Sequence, residues 1–533
     1  MLVLGLTGGF HNGSCDAAAA LMRDGALLAA VEEERVSRVK HSFGIPPARC
    51  IKSVLDVAGV SLTDVDVVAL YVDSYPDAVR EMRQHLQLLF RHSPTIETVG
   101  HHKAHAASSY YAAGFDEAAV LNLDWAGDGT STSIWQGKGG RLELVDAIAR
   151  PNSLGIFYTV FTQFLGFDRG DEYKVMGLAS YGEPRYDLDA FLDLSGDTYR
   201  LNLDILNTRN RSLHQSVVGE ALTGWRPDLQ RGRWDPITQE HMDLAASVQS
   251  YFERAVMALA RRAQRLTGAR RLCIAGGGGL NCTANGRLVA AKIFDDVYVP
   301  PFPNDTGCAF GTAAVISHEA GSRVVPLTTS HWGPGYDDDA IAADLAQVKL
   351  AARRVDNIAD VAADAIVNGQ LVGWFQGRME VGPRALGARS ILADPRDRQV
   401  KNRINHYVKF REDFRPLAPS VLASESARWF DFPGQSPFMS FTAPVRVPEA
   451  LPGITHVDGT ARLQTVRDGD GPYAELLAAM RARTGYGCVL NTSFNYAGQP
   501  IVCTPKEAIY TFFGTGLDLL VLGHFVLDKS GHA

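Results

Sequence analysis

Apolar residues at 3–6 (VLGL) run straight into the glycine-rich turn TGGFHNGS, and a second apolar stretch fills 26–31. Both read as buried strands of an α/β start. Residues 118–123 form a further apolar strand ending at Asp124, and beyond the turn DWAGDGT residues 131–135 read as its partner, which predicts a hairpin about an Asp-Gly turn. From 243 to 266 apolar and Ala positions recur at helical spacing, and 271–275 then reads as a buried strand entering four consecutive glycines. The pattern repeats at 296–299, which enters PPFPNDTGCAFG and a small-residue helix near 311–316. Strand, glycines, helix is the grammar of a turn that holds phosphate on a helix N-terminus.

From 321 to 339 the periodicity dissolves into GSRVVPLTTSHWGPGYDDD, rich in Pro, Gly, Thr and Asp, as an interdomain connection would be. Beyond it 359–368 reads as a helix and 371–375 as a strand, followed by the densest arginine loops in the chain. The expected division is a first domain over 1–335 and a second over 336–533. A length of 533 residues fits that reading, since one hydrophobic core rarely grows so large.

Composition changes the picture little: 46% hydrophobic, 21% charged and a net charge of -7 describe an ordinary globular protein, not one built to coat nucleic acid. A weakly acidic chain can still hold phosphates where its cations gather locally. The seven cysteines are scattered and form no CxxC pair, which argues against a disulfide framework and for a reducing, cytoplasmic setting. The start MLVLGL lacks the form of a signal peptide, and no apolar stretch approaches bilayer length.

Candidate chemistry begins with GHHKAHAASSYYAA, where His101 and His105 stand one helical turn apart and so share a face. His102 is the third histidine of the run. Two imidazoles make an incomplete metal site, and the best additional donors are Asp124, at a strand end, and Asp305, in PFPNDTG. Such a mixed set suits Fe(II), Mn(II) or Zn(II). The turn carrying Asp128 and Gly129 offers carboxylates and consecutive amides to a metal-bridged triphosphate. Gly276, Gly277 and Asn281, in GGGGLNCTAN, open a helix N-terminus toward an anion. With Asp305, these loops suggest an actin-like ATPase core.

The second domain contains GRMEVGPRALGARS, HYVKFREDFRPLAPS, HVDGTARLQ and LNTSFNYAGQPIVCTPKEAI, and the first contains NSLGIFYTVFTQFLGF and DEYKVMGLASYGEP. These segments resemble, in order and over essentially the whole chain, the O-carbamoyltransferase family of antibiotic and nodulation-factor tailoring enzymes. The resemblance implies an N-terminal actin-like domain similar to that of tRNA threonylcarbamoyl transferases and a C-terminal α+β domain of the YrdC type. It places metal ligands on His101, His105, Asp124 and Asp305, with Fe2+ the expected ion and Zn2+ or Mn2+ as alternatives. A basic pocket for carbamoyl phosphate and ATP with Mg2+ falls on Arg384, Lys409, Arg415 and Arg462, with Ser493 beside it. Two polyanions brought together require such fixed cations.

The implied activity is ATP-dependent O-carbamoyl transfer through a carbamoyl-adenylate to a hydroxylated small molecule. His11, in GGFHNGSCD, is the candidate base for the acceptor hydroxyl, although the family usually continues as His-Asp-Ser-Ser and here Asn12, Gly13 and Ser14 follow. Glu34, Arg35, Lys40 and His41, in EEERVSRVKHSFGIP, are expected to line the acceptor side, and Lys40 counts among the catalytic candidates. Loops at 71–94 and 201–236 are the places where acceptor choice would reside. A tRNA-modifying transferase is disfavoured by the lack of a basic run, and a non-catalytic ATP- and metal-binding regulator by the completeness of the reactive pocket. Neither a nucleic-acid nor a membrane partner is expected; a homodimer is compatible with the size.

Overall fold

The computed structural model describes residues 1–9, 15–71, 75, 77–203 and 220–529. His11 therefore lies outside the described residues, as do parts of the two acceptor-choice loops.

The chain forms two units: Met1–Leu28, Phe43–Ala48 and Val60–Leu327 make the first, and Ala29–Ser42, Arg49–Gly59 and Thr328–Ala533 the second. β1 (Leu2–Thr7), β2 (Ala18–Arg23), β3 (Ala26–Glu32, whose last four residues count with the second unit), β4 (Val67–Leu70) and β5 (Thr95–Thr98) form a sheet in the order β3-β2-β1-β4-β5. β1 runs antiparallel to β2 and parallel to β4, and β4 is parallel to β5. The next sheet repeats this plan with β6 (Glu117–Gly127), β7 (Thr130–Lys138), β8 (Arg141–Ala149), β11 (Arg271–Ala275) and β12 (Asp296–Tyr298), ordered β12-β11-β6-β7-β8. β6 is antiparallel to β7 and parallel to β11, which is parallel to β12. Two sheets of the same order and sense are the duplicated arrangement of the actin-like fold. Between β8 and β11 in sequence, β9 (Leu192–Asp193) and β10 (Arg200–Leu201) pair as a short ribbon.

Two small-residue helices fix the geometry of this unit. Helix His101–Ala113 is buried on nearly every side, and helix Thr306–Glu319 likewise. A Cβ on Gly311 would stand 2.0 Å from the carbonyl oxygen of Ala104, and one on Gly5 of β1 would stand 1.8 Å from that of Ala309. Glycine at both positions therefore lets one helix backbone rest against the other and against the sheet.

The second unit is α+β, built on one mixed sheet: β13 (Arg353–Arg354), β14 (Val372–Phe375), β15 (Arg389–Ala393), β16 (Ala418–Leu422), β17 (Phe441–Pro444), β18 (Thr460–Val466), β19 (Cys488–Ser493), β20 (Leu519–Leu522) and β21 (Phe525–Asp528). Their order is β13-β21-β20-β14-β15-β19-β16-β18-β17. Period-two alternation divides its side chains between two cores. Val372, Trp374, Leu392, Val489 and Val521 meet helices Ile358–Val367 and Gly471–Thr484 on one face, while Phe375, Ile391, Leu490, Leu520 and Leu522 meet helix Pro505–Phe513 on the other. The alternation explains why these strands read as continuous apolar runs.

Gly311→Ala should destabilise the first unit by about 1–3 kcal/mol through overpacking. Denaturant unfolding of the purified variant checks this, and an unchanged midpoint would mean that the close approach is not needed.

Candidate functional site

Helix His101–Ala113 begins at Gly100, and its first backbone N–H, that of His101, donates to the Asp128 carboxylate at 2.7 Å. Asp128 and Gly129 both have positive φ, 48° and 79°, and β6 pairs Gly127 with Thr130 around them. That is the two-residue hairpin turn an Asp-Gly pair favours. The turn thus caps the helix that carries the histidines. Gly127 has a separate reason to be glycine: a Cβ there would stand 2.1 Å from the His101 ring.

Asp124 lies on β6 and Asp305 directly precedes helix Thr306–Glu319, both near the carboxyl ends of parallel strands β6, β11 and β12. His101 and His105 bring their Nε2 atoms within 3.1 Å of each other. Asp124 Oδ2 is 3.2 Å from His101 Nε2, and Asp305 Oδ1 is 3.3 Å from His105 Nε2. All four donor atoms fall within 4.8 Å of one another. Two imidazole nitrogens and two carboxylate oxygens converging on one point in a largely buried place form a set suited to a divalent transition metal. Burial lowers the His101 pKa, but the hydrogen bond with Asp124 and the charges of Asp305, Asp124 and Asp128 outweigh it and lift the value to about 9. Burial opposes ionisation of Asp124, yet its bond to His101 and the neighbouring histidines hold its carboxyl well below the usual range. The pocket therefore favours a positive charge at this spot.

His102 turns the other way. Its Nδ1 meets Ser133 Oγ at 2.8 Å and its Nε2 the Thr130 carbonyl at 3.1 Å, with burial depressing its pKa to about 4. It is a structural histidine of the β6–β7 side, held also through Asn122, whose amide donates to the His102 carbonyl.

The glycine loop supports this centre. Gly276, at φ 84°, leaves the Leu123 carbonyl within 2.3 Å of where a Cβ would stand, and its N–H donates to the Pro303 carbonyl at 2.7 Å. Gly277 N–H approaches Asp124 Oδ1 at 3.5 Å. Asn281 caps helix Cys282–Ala290 and exchanges amide hydrogen bonds with Gln249. Asp16 accepts through its carboxylate from Asn304, the residue before Asp305, at 3.1 Å.

A second group of candidates gathers in the second unit. Asn491 donates to the Ala385 carbonyl and to Ser420 and Gln464, and Gln464 donates to the Leu386 carbonyl. Glu380 accepts the N–H groups of Leu386, Ala388 and Arg389. This buried network sets the loop that bears Arg384. By strand alternation Arg462 shares the face of Gln464 on β18, and Ser493 that of Asn491 on β19, so both occupy the sheet face beneath that loop.

Lys409 ends the π-helix Ile404–Lys409, and Phe410 after it is left-handed at φ 48°. A π-turn and a strained residue together are common at functional positions. The Lys409 ammonium is buried and donates to the Ser493 carbonyl, to Ser493 Oγ at 3.2 Å and to Asn495 Oδ1 at 2.6 Å. All three acceptors are neutral. Burial drives its pKa far down, and the charges of Arg411, Arg415 and Lys40 push the same way.

Lys40 lies in the second unit, and its charge is among those that hold the Lys409 pKa down. Its segment is tied there by Arg35 to the Gly382 carbonyl at 2.7 Å and by Arg38 to the Ile501 and Pro500 carbonyls at 2.7 and 2.9 Å. Three non-glycine residues around Lys40, namely Arg38, His41 and Ser42, have positive φ. Sequence reading missed Arg411, Glu380, Gln464 and Asn491, since the pairings that give them roles are distant in the chain.

Comparison with known proteins adds a separate line. The chain matches the family models described as "Carbamoyltransferase N-terminus", over residues 3–84 and 83–314, and "Carbamoyltransferase C-terminus", over 363–529. It is 40% identical to nodulation protein NolNO of Sinorhizobium fredii over 99% of this chain and 83% of that one. It is 42% identical to nodulation protein NolO of Bradyrhizobium diazoefficiens, over 81% and 79%. With the 3'-hydroxymethylcephem-O-carbamoyltransferase of Amycolatopsis lactamdurans the identity is 28%, over 95% and 96%.

Asn491→Leu removes one amide from a buried network and leaves several polar groups unpaired, so a loss of about 2–3 kcal/mol is expected. Chemical denaturation followed by a second-unit tryptophan signal checks it.

Proposed function

The chain belongs to the carbamoyltransferase family and is an enzyme that transfers carbamoyl groups, and from that premise we propose that it is an ATP-dependent O-carbamoyltransferase working through a carbamoyl-adenylate. In the proposed sequence one water molecule hydrolyses carbamoyl phosphate to carbamate and inorganic phosphate. A carbamate oxygen then attacks the α-phosphorus of ATP, and pyrophosphate leaves. Finally the acceptor hydroxyl oxygen bonds to the carbamoyl carbon as the bond to AMP breaks, and the hydroxyl proton passes to a base.

The observation that best supports the activation half is Lys409: a buried ammonium with only neutral hydrogen-bond acceptors among the described residues, crowded by other cations. A dianionic or polyanionic ligand relieves that crowding, and its charge restores the protonated lysine. We assign Lys40, Arg384, Lys409 and Arg415 to orienting carbamoyl phosphate and the ATP phosphates, with Arg462 and Ser493 on the same sheet face holding the nucleotide. Guanidinium forks suit the phosphate oxygens; Lys409 and Lys40 act as point charges. Exclusion of water around the buried lysine protects carbamate and its adenylate from decomposition.

We assign the transfer half to the first unit. His101, His105, Asp124 and Asp305 would hold the metal, with Fe2+ favoured and Zn2+ or Mn2+ as alternatives. Bound there, it supplies Lewis-acid stabilisation of developing negative oxygen. His11, which resembles the family's histidine at this place in the sequence, takes the hydroxyl proton. Asp128, Gly129, Gly276, Gly277 and Asn281 order the turns around the centre and offer amides to the adenylate. ATP enters with Mg2+, and the acceptor is a hydroxylated small molecule. Among the described residues no helix is long and apolar enough to cross a membrane.

Carbamoyl-phosphate-dependent pyrophosphate release from ATP, without acceptor, tests the reading. Lys40→Ala and Arg415→Ala should each lower it at least about 10-fold, the cost of losing one charge-assisted phosphate contact. His11→Ala should retain it and lose transfer. If the wild-type protein releases no pyrophosphate even after anaerobic reconstitution with Fe(II), the adenylate route is wrong.

A further inference from the structure

The second unit leaves five aromatic side chains in solvent at neighbouring places. Tyr407 is 65% exposed, Phe410 57%, Tyr510 66%, Tyr496 39% and Phe513 40%. Backbone contacts bring their segments together. Gly516 N–H donates to the Tyr407 carbonyl at 2.7 Å, and a Cβ on Gly516 would stand 2.8 Å from that of Tyr407, so Tyr407 lies against the turn that follows helix Pro505–Phe513. Ala497 N–H donates to the Lys409 carbonyl at 3.0 Å, which brings the segment of Tyr496 beside that of Phe410. On the helix, Lys506, Tyr510 and Phe513 succeed one another at intervals of four and three and so form one stripe.

Phe410 bears two costs at once. Its backbone is left-handed at φ 48°, which a bulky side chain adopts only under strain, and its ring then stands in water. Lys409 beside it turns inward, to Ser493 and Asn495. The groups bordering the aromatics are already paired: His406 with Asp413 at 2.7 Å and Lys506 with Asp344 at 3.2 Å. The face is therefore apolar at its centre and carries a carboxylate against each base at its rim. A chain of net charge -7 with such a face offers little to a polyanion or an anionic bilayer.

We infer that this face is where two copies of the chain meet about a two-fold axis, each presenting the same five aromatics. An aromatic side chain carries about 150–250 Å² of surface, so these exposures leave on the order of 500 Å² of ring bare. That is the upper end of what a monomer exposes in one patch, and more than half of the ~800 Å² that one partner brings to a stable interface. The rim supplies further area. Because its bases are paired within each copy, it does so without setting like charges against each other, a condition peculiar to a surface that must meet itself. Tyrosine and phenylalanine are also the residues that the cores of such interfaces favour. All of these residues belong to the second unit, so the contact needs nothing from the first.

Sedimentation velocity of the full chain, from nanomolar to tens of micromolar, tests the inference. The wild-type protein should sediment as two chains at the upper concentrations. Tyr407→Glu and Tyr510→Glu, which add like charges to both copies at the apolar centre, should each raise the dissociation constant at least about 10-fold, while Tyr510→Phe should stay within about 3-fold. Leu88→Glu, at an equally exposed leucine of the first unit, should leave it unchanged. Unfolding midpoints close to that of the wild type are expected for all four, since the sites are exposed. A wild-type chain that stays single at every concentration overturns the assignment, as does a dimer indifferent to both tyrosine-to-glutamate changes. So does single-chain protein that co-sediments with phosphatidylcholine vesicles and loses this with Tyr510→Glu, which would give the face to a bilayer.

Discussion

Helix His101–Ala113 and helix Thr306–Glu319 approach so closely that a methyl group at Gly311 would overlap the Ala104 carbonyl. The candidate ligand set depends on that approach. His101 and His105 come from the first helix, Asp305 from the residue before the second, and Asp124 from the strand on which the first helix packs. The Asp-Gly turn adds a second constraint, because Asp128 holds the helix start and Gly127 leaves room for the His101 ring.

In the proposed reading the second unit faces a different electrostatic problem. Its cations must be close enough to hold two polyanions, and such closeness is unfavourable until the ligands arrive. The cost is met by backbone anchoring. Arg35 and Arg38 bind carbonyls and carboxylates, Glu380 gathers three loop amides, and Asn491 and Gln464 hold the loop bearing Arg384. The left-handed residues flanking Lys40, together with the left-handed Phe410 next to Lys409, show local strain where two lysines are presented.

Much of this was legible in the sequence wherever the cause is local. The apolar runs at 3–6, 26–31, 118–123 and 271–275 are strands, the spacing of His101 and His105 puts them on one helical face, and the Asp-Gly pair makes a hairpin. β2 was less legible, since AAALMR is alanine-rich and its strand character comes from burial between neighbours. The duplication of the two sheets left no readable repeat, because topology constrains the pattern of apolar positions and not residue identity. Segment Ala29–Ser42 belongs to the second unit through bonds to residues such as Gly382, Pro500 and Ile501, hundreds of positions away. No local pattern announces such pairings. The resemblance of the arginine loops to a known family identified the basic residues, but not the polar network that sets them.

The metal centre is the claim on which the division of labour between the units rests, and X-ray absorption on anaerobically purified, Fe(II)-reconstituted protein tests it most directly. The account predicts one metal per chain, with outer-shell scattering from two imidazoles and light-atom ligands at about 2.0–2.2 Å. Protein that takes up no stoichiometric metal, or a shell without imidazole scattering, would contradict it.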